Sequence, residues 1–230
     1  MSIWTRITAA LSSLAQGEGL TAVFDHLRKN RAPEKSVAFT IAVIALGAKM
    51  AKADGQVTRD EVSAFRRVFS LSKADEPAAA RVFNLARQDV AGFDAYARKI
   101  KAMFGPDDRE VLIDLMDGLF HIAMADGEFH PAEDHFLENV AKIFDLHGCC
   151  FRALRAQHVE GTTPDPYDVL GLPPSADLEL ARNAWRRAVK ESHPDVAIAR
   201  GLPPEAIRLA EDRLRAVNAA WEEISSRQAA

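Results

Sequence analysis

Apolar residues recur every three to four positions along nearly the whole chain, and no stretch alternates apolar and polar with a period of two. The pattern predicts helices near 2–15, 20–29, 35–53, 58–71, 76–90, 93–103, 107–125, 132–145 and 149–157, and hence an all-α protein. In one of them Val37, Phe39, Ile41, Val43, Ile44 and Leu46 leave no polar face, which puts that helix at the centre of a bundle. Its apolar run, Val37 to Ala51, contains Lys49 and is too short to cross a bilayer. Trp4, Ile7, Leu11 and Leu14 form one face of the first helix, with Arg6 the only charge between Met1 and Gln16, which fits neither a signal peptide nor a membrane span. That face leaves membrane contact open but lacks the cationic flank of interfacial helices. Pro33, Pro77, Pro106 and Pro131 fall near predicted helix starts, where a missing N–H costs nothing.

Within the bundle a unit repeats at an offset of 72 residues. Met50-Ala51-Lys52-Ala53-Asp54-Gly55-Gln56-Val57 matches Ile122-Ala123-Met124-Ala125-Asp126-Gly127-Glu128-Phe129, and Glu61, Phe65 and Val68 then match Glu133, Leu137 and Val140. Gly55 and Gly127 suit the left-handed residue that ends a helix. Val57 and Phe129 can tuck into the core as the chain reverses. Thr58-Arg59-Asp60-Glu61 reads as a capping box, and in the second copy Pro131 takes the first helical position with Glu133 in the reciprocal one. One helix–turn–helix unit used twice predicts a bundle with approximate two-fold internal symmetry.

Gly161-Thr162-Thr163-Pro164-Asp165-Pro166 has no apolar periodicity and two prolines, so it is read as a linker. After it, Tyr167 to Leu172 forms a short helix stopped by Gly171, Pro173 and Pro174. Ser175 or Asp177 can cap the next helix, which runs to about Glu191. On that helix Leu180, Ala181, Ala184, Trp185 and Ala188 form an inward face. Arg182, Arg186 and Lys190 stand four apart on the other face, flanked by Arg187. His193-Pro194-Asp195 follows in a polar loop, and a last helix returns through Val217, Ala220, Trp221 and Ile224. The expected organisation is a helical extension over 1–29, a bundle over 30–158, a linker over 159–166 and a helical hairpin over 167–230.

The formal net charge is −4, and it divides evenly: from Gly161 onward nine Lys/Arg face eleven Asp/Glu, leaving twenty against twenty-two before it. Neither part has the basic excess that phosphate backbones require, so nucleic acid is not an expected partner. The only cysteines are the adjacent pair Cys149 and Cys150, which fits a reducing, cytoplasmic setting.

The paired Ala-Asp-Gly-x-apolar…Glu unit resembles the TerB (tellurite-resistance B) domain, an all-helical fold, over roughly residues 30 to 157. That resemblance implies a divalent metal held on acidic residues, here Asp54, Glu61, Asp126 and Glu133. The plainer reading is that all four are caps and turn residues, and their spacing does not fit the twelve-residue calcium loop. The tyrosine-bearing short helix, the basic helix, His-Pro-Asp and the returning helix together resemble the J domain of DnaJ-family co-chaperones, over about 165 to 226. Between Asp195 and the closing helix lies the extra segment Ala199-Arg200-Gly201-Leu202-Pro203-Pro204-Glu205. A Gly-Leu-Pro-Pro-Glu insertion at this place, behind a TerB-like region, is similar to DjlA-type proteins. Those typically begin with a membrane-spanning segment, which this sequence lacks, so anchoring is not expected to carry over.

The sequence departs from the J-domain pattern at Ser192, where an aromatic is usual, at Val196, where a base is usual, and at Ala188-Val189 in place of Leu-Ala. Trp185 and Trp221 stand where tyrosines are usual. The resemblance implies a protein that performs no chemistry itself. His193, Pro194 and Asp195 would dock on a DnaK-type ATPase chaperone and favour ATP hydrolysis, with Arg182, Arg186, Arg187 and Lys190 steering onto an acidic patch. With no Gly/Phe-rich linker, zinc module or β-rich client-binding domain in the sequence, the client is expected to be chosen by the TerB-like bundle. The alternative is a metal-binding stress or sensor protein whose J domain is vestigial. Acid–base catalysis on the two turns lacks a nucleophile and a phosphate loop.

Overall fold

A computed structural model describes residues 3–12, 20, 22–23, 33–54, 73–89, 92–104, 108–125, 127–159 and 163–229. The protein is all-α, and the described residues include no strand. The helices are α1 (Ile3–Ser12), α2 (Pro33–Asp54), α3 (Glu76–Gln88), α4 (Phe93–Phe104), α5 (Arg109–Ala123), α6 (Pro131–Ile143) and α7 (Cys149–His158). They are followed by α8 (Pro166–Val169), α9 (Leu178–Glu191), α10 (Pro194–Ala199) and α11 (Pro204–Ala229). The helices expected over 20–29 and 58–71 lie mostly or wholly outside the described residues.

The central helix is α2, as its all-round apolarity requires. It packs on α1, α3, α4, α5 and α6, and from Val37 to Met50 every hydrophobic side chain is buried. Lys49, the one cation in that run, keeps its charge paired with polar atoms. Its Nζ donates to the Asp89 carbonyl at 2.8 Å and lies 4.9 Å above the Tyr96 ring, while the Tyr96 hydroxyl donates to Asp89 Oδ2 at 2.7 Å. Burial and the Asp89 carboxylate push the Tyr96 hydroxyl well above its usual pKa.

The second copy of the repeated unit is α5, its turn and α6. Gly127 has φ +87°, the left-handed value its position calls for. Pro131 opens α6, and Glu133 Oε2 accepts from the His130 N–H at 3.0 Å, the reciprocal half of a capping box. Phe129 packs against the core with its ring 6.0 Å from that of Phe120. In the first copy, the turn and the helix after it lie outside the described residues.

The C-terminal helices make a second, small apolar cluster. Leu170, Leu172, Ala176, Ala181, Ala184, Val217, Ala220 and Ile224 are buried in it. Trp185 and Trp221 stack at its edge, centroids 5.2 Å apart and planes 14° apart, and Trp185 Nε1 donates to Asn218 Oδ1 at 2.9 Å. The cap of α9 is Asp177, which accepts from the Leu180 N–H at 2.7 Å.

The hairpin does not hang free of the bundle. Ala197, Leu202, Ala206, Leu209 and Ala210 belong to the main bundle core, whereas Val217, Ala220 and Ile224 of the same helix α11 belong to the hairpin core. Leu209 comes so close to α5 that a Cβ built on Gly118 would lie 3.7 Å from its Cδ1. Polar pairs surround this contact. Arg152 on α7 grips Asp168 on α8 at 2.8 and 2.5 Å, and Arg200 lies 3.7 Å from Asp108.

Candidate functional site

The His193-Pro194-Asp195 tripeptide is not an open loop. It begins the short helix α10, with His193 at the N-cap, Pro194 in the first helical position and Asp195 in the first turn. His193 Nδ1 accepts from the Asp195 N–H at 3.2 Å, so the imidazole serves as the cap. The carboxylate of Asp195 lies 3.5 Å from the same nitrogen and is 82% exposed; the His193 side chain is 52% exposed. Both polar groups therefore face solvent from a fixed backbone.

Just before the tripeptide, Ser192 is buried. Its Oγ accepts from Arg213 Nε at 3.0 Å, and Arg213 Nη1 donates to the Glu110 carbonyl at 2.9 Å. The same nitrogen lies 2.8 Å from Glu110 Oε2 and 3.1 Å from Asp114 Oδ1. Alignment with Asp114 is too poor for a hydrogen bond, and that oxygen is buried without one. Burial pushes the Asp114 carboxyl up to about 7, against the pull of Arg213 and with the Asp117 and Glu110 charges adding to the rise. The departure at Ser192 thus supplies an acceptor that links the tripeptide to α5 through one guanidinium.

On α9, Arg182, Arg186, Arg187 and Lys190 are all exposed. Arg182 leans its guanidinium 5.8 Å from the Trp221 ring centroid, which fixes one member of the stripe on the stacked tryptophans. Leu180, expected on the inward face, is 48% exposed instead, and Ile198 on α10 is 57% exposed. The inward positions are filled by Ala181 and Ala184, with Trp185 half-buried beside them and Leu178, not Leu180, packed against the cluster at that end.

Of the four acidic residues that the TerB resemblance points to, only Glu133 has a described side chain. It is buried and occupied as a cap, while the Asp54 side chain, Glu61 and Asp126 lie outside the described residues. A different group converges nearby. Asp117 on α5, His121 one turn later and His158 at the end of α7 bring three ligand atoms within 4.8 Å of one another. Asp117 and His121 were readable as an i, i+4 pair on one face, but His158 arrives from another helix and carries no local signal.

Fold and site together describe a TerB-type bundle bearing a helical hairpin with a basic stripe on α9 and an exposed His-Pro-Asp. The chain belongs to the family described as Tellurite resistance protein TerB, which it matches over residues 40–156. Along most of its length it is also similar to DjlA-type co-chaperones. It is 26% identical to the Co-chaperone protein DjlA of Aliivibrio fischeri over 82% of this chain and 78% of that one. It is 26% identical to that of Legionella pneumophila over 86% and 78%, and 23% identical to that of Escherichia coli over 99% of both. No solved structure matches significantly. Among the described residues no helix is long and apolar enough to cross a membrane.

Proposed function

We propose that this chain is a DnaJ-type co-chaperone. It stimulates ATP hydrolysis by a DnaK-type chaperone and brings that chaperone to a client or site chosen by the TerB-like bundle. The observation that supports the reading best is the joint exposure of His193, Asp195, Arg182, Arg186, Arg187 and Lys190, although the hairpin is docked through α10 and α11. Docking buries Ala197, Leu202, Ala206 and Leu209 instead, and Arg187 borders the cavity between hairpin and bundle.

In this reading the four cations attract an acidic surface of the chaperone and raise the encounter rate, an effect that salt screens. His193 and Asp195 then make contacts at the junction where the chaperone couples ATP hydrolysis to substrate binding. The chain performs no chemistry itself: Asp195 acts by polar contact, and His193 by holding the α10 backbone. A cytoplasmic setting accords with the two free cysteines. The vestigial-hairpin alternative would give no reason for the cap geometry at His193 or for an unburied tripeptide.

The test is single-turnover ATP hydrolysis by the organism's own DnaK-type chaperone, with the full chain and with His193→Gln. Stimulation by the wild type that disappears in the variant is the expected result, and it should weaken as salt rises. Equal stimulation by both proteins, or none by either, would overturn the reading.

A further inference from the structure

Asp117, His121 and His158 meet where α5 passes the end of α7. Asp117 Oδ1 lies 2.5 Å from His158 Nε2, and its other oxygen, Oδ2, faces His121 Nε2 at 3.9 Å, beyond hydrogen-bond reach. The two imidazoles meet edge to face at 79°, centroids 4.5 Å apart, with both Nε2 atoms turned toward the carboxylate. A ring stack on Phe120, 5.5 Å away and only 3° from parallel, fixes His158.

A buried Asp–His strut accounts for one of these contacts and no more. It gives no reason for a second imidazole to aim the same kind of nitrogen at the same carboxylate. A tetrahedral ion with bonds of 2.0–2.2 Å holds its ligand atoms about 3.3 Å apart. The observed separations, from 2.5 Å to within 4.8 Å, lie on either side of that spacing, so side-chain adjustments of about one to two ångströms would seat one. Asp117 and His158 are each 7% exposed while His121 is 46% exposed, giving two anchored ligands inside and one at a solvent mouth.

We infer that Asp117, His121 and His158 form a divalent transition-metal site, with zinc the best-suited ion. Two imidazoles and one carboxylate select zinc, cobalt or ferrous iron over calcium and magnesium, which take oxygen ligands. Three protein ligands leave a fourth position for water on the exposed side. His158 is the last residue of α7, just before the connection to the hairpin. The ion therefore clips the end of α7 to α5 at the point where the chain leaves the bundle. The site is separate from the acidic turn at Glu133, and it stands whether or not the hairpin acts on a chaperone.

Cobalt titration of the tag-free, chelator-stripped full chain tests the site. One equivalent should develop a visible d–d band, and zinc should bleach it. His121→Asn, at an exposed position, should retain the fold by circular dichroism yet weaken binding by more than about 100-fold, the upper end of what loss of an outer-sphere partner costs. His158→Asn should do the same, and zinc should raise the melting temperature of the wild type but of neither variant. His147→Asn, at an exposed histidine outside the cluster, should leave binding unchanged. No stoichiometric band in the wild type, or full binding in His121→Asn, would overturn the proposal. So would binding lost in Glu133→Gln but kept in His121→Asn, which would put the ion at the turn.

Discussion

Arg213 and Ser192 are joined by a 3.0 Å hydrogen bond one residue ahead of His193, and the same guanidinium reaches Glu110 and Asp114 on α5. The tripeptide is thus two bonds from the bundle. Replacing Arg213 with Met takes the guanidinium from Glu110 and Asp114 and leaves the buried Ser192 hydroxyl without its donor. Such a loss at a buried ion pair costs about 3 kcal/mol. Urea denaturation should show it, and a midpoint unchanged from wild type would mean the cluster is solvated in solution.

Asp114 gives that cluster a pH dependence. Its carboxyl titrates near 7 in the folded chain against 3.8 in an unfolded one, so the folded state holds the proton more tightly. The contribution of Asp114 to stability is therefore fully present below about pH 4 and is lost as pH rises toward 7. Compared with Asp114→Asn, the wild type should lose stability between pH 4 and pH 7, then run parallel above it. Parallel curves through the whole range would place the Asp114 carboxyl at an ordinary value.

Leu209 is the apolar half of the docking contact, buried against α5 beside Gly118 and Val43. Leu209→Ala should cost about 2 to 3 kcal/mol, partly as a residual cavity. Faster amide exchange should appear along α10 and the first half of α11, with little change in α3 or α4. Exchange spread evenly through the bundle would show that the contact supports the whole fold.

Trp185 and Trp221 supply a local reporter. Trp185→Phe keeps an aromatic ring over Trp221 but removes the donor to Asn218, at a cost of about 1 kcal/mol. Near-ultraviolet circular dichroism should lose most of the signal from the stacked pair. A retained signal would assign it to Trp4, the third tryptophan.

The bundle was legible in the sequence because its signals are local. The turn at Gly127, the proline at 131 and the reciprocal Glu133 each act within one turn of helix, and α2 announces its place by having no polar face. The tripeptide was legible as a motif but not as a helix start. Pro194 reads as a stop from one side and is an ideal first residue from the other, and the apolar run from Val196 to Ala199 carried the difference. Leu180 was misplaced because a helical wheel ranks faces by composition, whereas Leu178 is the leucine that packs on the hairpin core at that end. Docking through Leu202, Ala206 and Leu209, the Arg213 cluster and the Asp117–His158 contact all join residues far apart in sequence, and no periodicity encodes them.

The last helix belongs to both cores, and this turns its length into a measure of angle. The bearing of the hairpin on the bundle is set by the winding of α11 between Ala210 and Val217. One residue inserted there would swing the hairpin by about 100° about the helix axis, whereas four would nearly restore its bearing about 6 Å farther out. The connection before Pro166 can vary in length without changing that bearing, so insertions are better tolerated there than in the helix.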